Sequence, residues 1–160
     1  MILVTVGMQL GFDRLIRAMD AIAPTLGMEV IAQTGKGSFT PQNMTARERI
    51  GAEEFDRLAE QAQLIVSHAG IGTVLTAQRL STPIVLLPRR FEYREHRNDH
   101  QVATVTNLEG RAGILVALRD EDLPHAIEQG LAMGTVTPAL SPSTQQLHAA
   151  IARYIDGGEI

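Results

Sequence analysis

Apolar residues follow two rhythms along this chain. Short, nearly unbroken runs of aliphatic and β-branched residues occur at Ile2 to Val6, Met28 to Gln33, Leu64 to Ser67, Pro83 to Leu87 and Gly113 to Leu118. Such runs predict strands buried on both faces. Between them, apolar residues recur three and four positions apart. From Asp13 to Ala23 they fall at Leu15, Ile16, Met19, Ile22 and Ala23, one face of an amphipathic helix that Pro24 ends. Further helices are expected at Glu53 to Gln61, Ile71 to Leu80, Asn98 to Leu108, Leu123 to Met133 and Ser143 to Asp156, with a Thr-Pro-Ser linker before the last. Residues 38 to 52 are mixed and allow one short strand around Thr45 to Arg49. Strands alternating with helices imply an α/β fold, a Rossmann-like parallel sheet with helices on both faces.

In such sheets ligands bind beyond the carboxyl ends of the strands. The loops expected there are Gly7-Met8-Gln9, Thr34 to Gly37, Ser67 to Gly72 and Pro88 to Gln101. The third is the most informative. Ser67-His68-Ala69-Gly70-Ile71-Gly72-Thr73 joins a buried strand to a helix. Glycines let backbone approach a ligand, and the free N–H groups of the new helix then form an anion site, for which phosphate is the usual occupant. The bland alternative is a tight connection and nothing more. The fourth loop brings Glu95, His96, Arg97, Asn98, Asp99, His100 and Gln101 to the start of another helix. Its amide, carboxylate and imidazole groups suit sugar hydroxyls, and a solvated polar turn is the plain alternative. His96 and His100, four apart, would share a helix face as metal ligands do, but Glu95 precedes the first histidine and no third ligand is apparent, so no metal is expected.

Several chemistries are excluded. Gly7-Met8-Gln9-Leu10-Gly11 is not the dinucleotide fingerprint, and the second strand ends at Gln33, not at an acid that could hold a ribose. Gly35-Lys36-Gly37 lacks the Ser/Thr of a P-loop, and no Gly-x-Ser-x-Gly elbow is present. Ser67 and His68 are neighbours at a strand end, where successive side chains diverge, so they make a poor dyad. Cysteine is absent, which removes disulfides and thiol chemistry. A net charge of −4, no tryptophan and few aromatics give no case for nucleic-acid binding. The 160 residues fit one domain, 1–160, and no run approaches the roughly 18 apolar residues of a membrane span. The apolar N-terminus has no basic leader or cleavage site and reads as a first strand, not a signal peptide. A cytoplasmic location is compatible with these features.

Val4-Thr5-Val6-Gly7 with Phe12-Asp13-Arg14-Leu15-Ile16, then Ser67 to Thr73, then Pro88 and Glu95 to Gln101, resemble the C-terminal domain of family 28 glycosyltransferases, the donor-binding half of a GT-B enzyme. Relatives include the bacterial enzyme that adds N-acetylglucosamine to the lipid-linked peptidoglycan precursor and the small eukaryotic subunit that adds the second N-acetylglucosamine to dolichol diphosphate. The nearest likeness is to the small soluble subunit of two-component bacterial exopolysaccharide transferases. The resemblance implies that Gly70, Ile71, Gly72 and Thr73 present amides to the donor diphosphate, with His68 and Ala69 beside it. It places Asn98, Asp99, His100 and Gln101 at the transferred sugar, Gly7, Met8 and Gln9 on the side facing the acceptor, and the uracil near Arg89 and Arg90. Many relatives carry a ribose-binding glutamate where this chain has Thr76, whose hydroxyl cannot match a bidentate carboxylate.

A GT-B enzyme needs two such domains and only one fits this length. The resemblance therefore implies a membrane-associated, acceptor-binding partner subunit that supplies the catalytic base and recruits this chain to the inner face of the membrane. The donor is expected to be a UDP-sugar carrying a hexose or hexuronic acid, the acceptor a lipid-linked saccharide in exopolysaccharide assembly, and no cofactor is implied. A non-catalytic nucleotide-sugar-binding or scaffolding module is the alternative, and an epimerase of the same fold a third option. Met8, Leu10, Phe12 and Phe91 are candidate apolar contacts for the partner, or they fold inward.

Overall fold

The computed structural model describes residues 1–136. The helix expected at Ser143 to Asp156 lies outside the described residues. Six strands form one sheet: β1 (Ile2–Thr5), β2 (Val30–Gln33), β3 (Thr45–Arg47), β4 (Leu64–His68), β5 (Ile84–Leu87) and β6 (Ile114–Val116). All pairings are parallel, in the order β3-β2-β1-β4-β5-β6. Helices α1 (Asp13–Ile22), α2 (Ala52–Gln61), α3 (Ile71–Arg79) and α4 (His100–Leu108) make four of the five crossovers, β2 passes to β3 through a loop, and α5 (Leu123–Met133) follows β6.

Strand alternation sorts the core into two layers. Ile2, Val4, Leu64, Val66, Val85 and Leu87 face α1 and α5, where they meet Leu15, Met19, Leu123 and Ile127. Leu3, Ile31, Ile65, Ile84 and Leu86 face α2, α3 and α4, where they meet Leu58, Val74, Ala77 and Val105. Both faces are therefore covered, as the continuous apolar runs required.

Strand order reverses between β1 and β4, and a crevice opens beyond their carboxyl ends at such a switch point. The last rung shared by β2, β1 and β4 breaks the apolar pattern. Gln33, Thr5 and Ser67 are register partners across β2, β1 and β4, and all three are buried. Polar side chains under 4% exposed at that one edge mark the floor of the crevice.

Some boundaries moved for local reasons. Pro24 does not stop α1 outright. It occupies the first turn of a 3₁₀ segment, Ala23–Thr25, where its missing N–H costs no bond. The helix expected from Asn98 begins at His100, because Asn98 and Asp99 turn their side chains back onto the preceding loop.

Candidate functional site

Two cavities flank the start of α3. The first, about 410 Å³, lies between the loop after β1, the β4–α3 turn and the start of α4. Among the candidates from the sequence it gathers Gly7, Met8, Gln9, His68, Ala69, Gly70, Ile71, His100 and Gln101. The second, about 430 Å³, lies on the α2 side and gathers Gly72, Thr73 and Thr76, together with Gly7 and Met8. Between them stands the N-terminus of α3. Among the described residues no side chain caps it, and its first turn holds no acidic residue, so its leading N–H groups and positive dipole end face the two cavities.

The two glycines of this turn do different work. A Cβ at Gly70 would fall 2.3 Å from His68 Nε2, and one at Gly7 would fall 2.9 Å from His68 Cε1. The imidazole is thus clamped between two bare backbones. A side chain at Gly70 would displace His68 before it met any ligand. A Cβ at Gly72 would meet no atom within 4 Å, which leaves that side of the helix open to an incoming group.

Burial, reinforced by the charge of Arg89, pushes the His68 imidazole down to about 4. It is neutral at pH 7. The expectation that the Ser67 and His68 side chains diverge fails, because Ser67 Oγ lies 3.3 Å from His68 Nδ1. The imidazole of the last strand residue leans back over the rung. Ser67 is fully buried, so it holds the ring and is closed to a substrate.

Arg89 is 4% exposed. Its Nη2 donates to the carbonyls of Val6 and Leu10, both at 2.8 Å, its backbone N–H donates to Gln101 Oε1 at 3.0 Å, and its guanidinium stacks over Phe12. It ties the loop after β1 to the start of α4. Burial lowers its pKa to about 10, so it stays charged at neutral pH.

Other side chains hold the loop after β5. Glu95 accepts a bidentate pair from Arg14 Nε and Nη2 at 2.8 and 2.9 Å, and the Arg90 N–H at 3.0 Å. Asp99 Oδ1 accepts the Phe91 N–H at 2.8 Å. Asn98 Oδ1 meets the Nδ1 atoms of both His96 and His100. Asn98 and Asp99 line neither cavity, so the geometry gives them the loop in place of the expected sugar hydroxyls. His96 precedes α4 and does not share a helix face with His100, yet the two rings meet edge to face at 4.4 Å. Among the described residues no three His, Cys, Asp or Glu side chains are placed to share a metal ion.

The expected nucleoside contacts also change. Arg89 lines the first cavity and Thr76 the second. Arg90 turns away, donating to the Leu118 carbonyl at 3.0 Å. A base beside these arginines and a ribose at Thr76 would occupy opposite sides of α3. The second cavity instead offers Ile50, Ala52 and Phe55 as an apolar wall, and Gln33 and Thr5 as a polar floor. The sequence reading missed these residues. Only Gln33, a polar end to an apolar strand, carried a signal.

A profile of the glycosyltransferase family 28 C-terminal domain matches residues 1–153. The chain belongs to that family. This family 28 domain has no match among curated proteins. Among solved structures it is similar to ALG13, determined by NMR in solution, at 14% identity and TM-score 0.58, with the likeness covering 91% of this chain and 93% of that one. It is similar to MurG of Acinetobacter baumannii at 19% identity and TM-score 0.58, over 83% of this chain and 42% of that one. It is similar to the glycosyltransferase SsfS6 of Streptomyces sp. SF2575, solved with thymidine diphosphate, at 17% identity and TM-score 0.51, over 82% of this chain and 32% of that one. At these identities the likeness is one of fold. The family 28 domain thus spans less than half the length of MurG and SsfS6.

Phe12 is 1% exposed and belongs to the core, which removes it from the candidate partner contacts. Met8, Leu10 and Phe91 are exposed, and Ile71, Leu75 and Tyr93 are exposed as well. Among the described residues no helix is long and apolar enough to cross a membrane.

Proposed function

We propose that this chain, acting as a single nucleotide-sugar-binding domain, is the donor-binding half of an inverting glycosyltransferase that uses a UDP-sugar. One observation carries the reading: an uncapped helix N-terminus stands between two cavities at the switch point of a doubly wound sheet. The diphosphate sits on the N–H groups of Ile71, Gly72 and Thr73, where the helix dipole stabilises the charge that builds on the leaving group. The hexose or hexuronic acid occupies the first cavity, with His100 and Gln101 at its hydroxyls and Asn98 and Asp99 holding the loop that carries them. Gly7, Met8 and Gln9 close its outer side. The nucleoside occupies the second cavity, with Thr76 near the ribose.

The acceptor is a lipid-linked saccharide of exopolysaccharide assembly, bound by a membrane-associated partner that brings the base. The family is that of a C-terminal domain and this chain spans a short share of MurG and SsfS6, and both facts support a half-site. Exposed Met8 and Leu10 at the first cavity, with exposed Phe91 on the loop after β5, suit a closing partner.

Gly72→Val tests the diphosphate position. A Cβ at this exposed position meets no described residue within 4 Å, and valine is a better helix residue than glycine, so the fold is retained. Affinity for UDP should fall at least tenfold, about 1.4 kcal/mol. Calorimetry giving the wild-type affinity would remove the diphosphate from this turn. A separate test addresses the half-site. The isolated chain should bind UDP yet transfer no sugar, and the partner subunit should switch transfer on. Robust transfer by the chain alone would defeat the half-enzyme reading. Donor binding with no transfer in any assembly would favour the non-catalytic module.

A further inference from the structure

Gln33 is 3% exposed, yet its hydrogen bonding is lopsided. Its amide oxygen faces Thr5 Oγ1 at 3.5 Å, and that hydroxyl in turn accepts the Gly7 N–H at 3.3 Å. Its amide nitrogen carries two protons and, among the described residues, meets only Met8 Sδ, at 3.1 Å. A thioether is a weak acceptor. Buried amide N–H groups are ordinarily matched to oxygen, and those that are not mark a missing partner. Met8 itself is 59% exposed on a flexible, unbranched side chain, so it can swing away without disturbing the core. Gln33 and Met8 both line the second cavity.

The register shows why the amide faces this cavity. Gln33 shares strand parity with Ile31, which packs toward α2 and α3, so its side chain rises on that same side. One residue further along, the chain leaves the sheet. The amide therefore stands at the edge of the core with its donor side toward the cavity and its acceptor side toward Thr5.

We propose that Gln33 is a specificity-determining residue of the second cavity, and that its amide N–H donates to an oxygen acceptor on the nucleoside part of the donor, displacing the Met8 sulfur. The inference rests on the nucleotide reading given above. It assigns to β2 a polar contact that the family resemblance placed on α3 and that Thr76 meets with a single hydroxyl.

The test replaces Gln33 with methionine, which keeps the side chain's length and removes the amide. The Thr5 hydroxyl loses an acceptor that lies 3.5 Å away, at the outer limit of a hydrogen bond, and the poorly matched amide N–H groups leave with it, so stability stays near neutral. The expected result is an unchanged or higher Tm for the unliganded protein, with UDP affinity at least tenfold weaker by calorimetry. Should Gln33→Met fail to fold, Gln33→Asn withdraws the same amide by one methylene and is measured in the same way. UDP affinity within twofold of wild type overturns the inference while leaving the nucleotide reading standing. A loss of affinity matched by a clear fall in the unliganded Tm also overturns it, because the amide would then be structural. Wild-type protein that binds no UDP overturns both.

Discussion

Glu95→Ala is expected to lower the unfolding free energy by about 2–4 kcal/mol and to weaken UDP-sugar binding with it. The carboxylate and the Arg14 side chain are 11% and 15% exposed, so the pair is largely withdrawn from water. Removing one member of such a pair leaves the other charge desolvated and uncompensated, and that cost dominates. Here the remaining partners of Arg14 are the Pro88 carbonyl at 2.9 Å and Asp120, 3.3 Å away and half exposed, which recover only part of it. The Arg90 N–H loses its acceptor as well. The change reaches the site through geometry. The pair anchors the loop that leads from Pro88 to His96 and α4 against α1, and His96, His100 and Gln101 line the first cavity. Glu95→Gln keeps the shape and one acceptor oxygen and should lose less. Urea denaturation showing Glu95→Ala within about 0.5 kcal/mol of wild type, the range of ordinary surface substitutions, would show the pair to be dispensable.

The role of Glu95 also shows where sequence reading stops. The residue sits in the most polar segment of the chain, and its neighbours invited a metal or a sugar. Its actual partner, Arg14, is 81 positions away. Nothing in local spacing announces such a pair. The sheet was legible for the opposite reason. β1, β2, β4 and β5 are buried on both faces, and burial of that kind writes an unbroken apolar run that has no helical alternative at that length. β3 is exposed throughout and was legible only as a possibility. β6 was expected from Gly113 to Leu118 and spans Ile114–Val116, because Gly113 is turned at φ +76° and Leu118 is exposed.

The glycine turn was legible because its chemistry is local. Strand, turn and helix follow one another, and the free N–H groups come with the helix start. The division of the site into two cavities was not legible. It depends on which side of α3 each residue falls, and on a rung of polar residues contributed by three strands. The resemblance placed the uracil near Arg90 and near Arg89, and Arg89 has another role in the fold. Its buried position and its bonds to Val6 and Leu10 make it a strut beneath the loop.

Stability should fall as pH drops from 6.5 toward 4, and His68 should account for about 3 kcal/mol of that loss. The ring's ordinary value is 6.5, and in the fold it lies near 4, because burial disfavours the cation and Arg89 adds repulsion. The unfolded chain therefore binds a proton that the folded protein refuses. The stabilisation is complete above the unfolded value and is lost as pH falls through the folded one. The backbones of Gly7 and Gly70 lie close against the ring, Ser67 Oγ supplies a neutral partner and His96 adds a weaker repulsion, while the Thr5 backbone opposes the shift without outweighing it. His68→Gln stays uncharged throughout the range, so its stability should vary less with pH, by about 1.4 kcal/mol per unit between the two values. Parallel curves for the two proteins from pH 4.5 to 6.5 would show that His68 titrates normally. The consequence for the proposed site follows from the same balance. A ring that is neutral at pH 7 brings no charge to a diphosphate, so the attraction there falls to the start of α3 and to Arg89. Affinity for UDP should carry no imidazole step near 6.5 from His68.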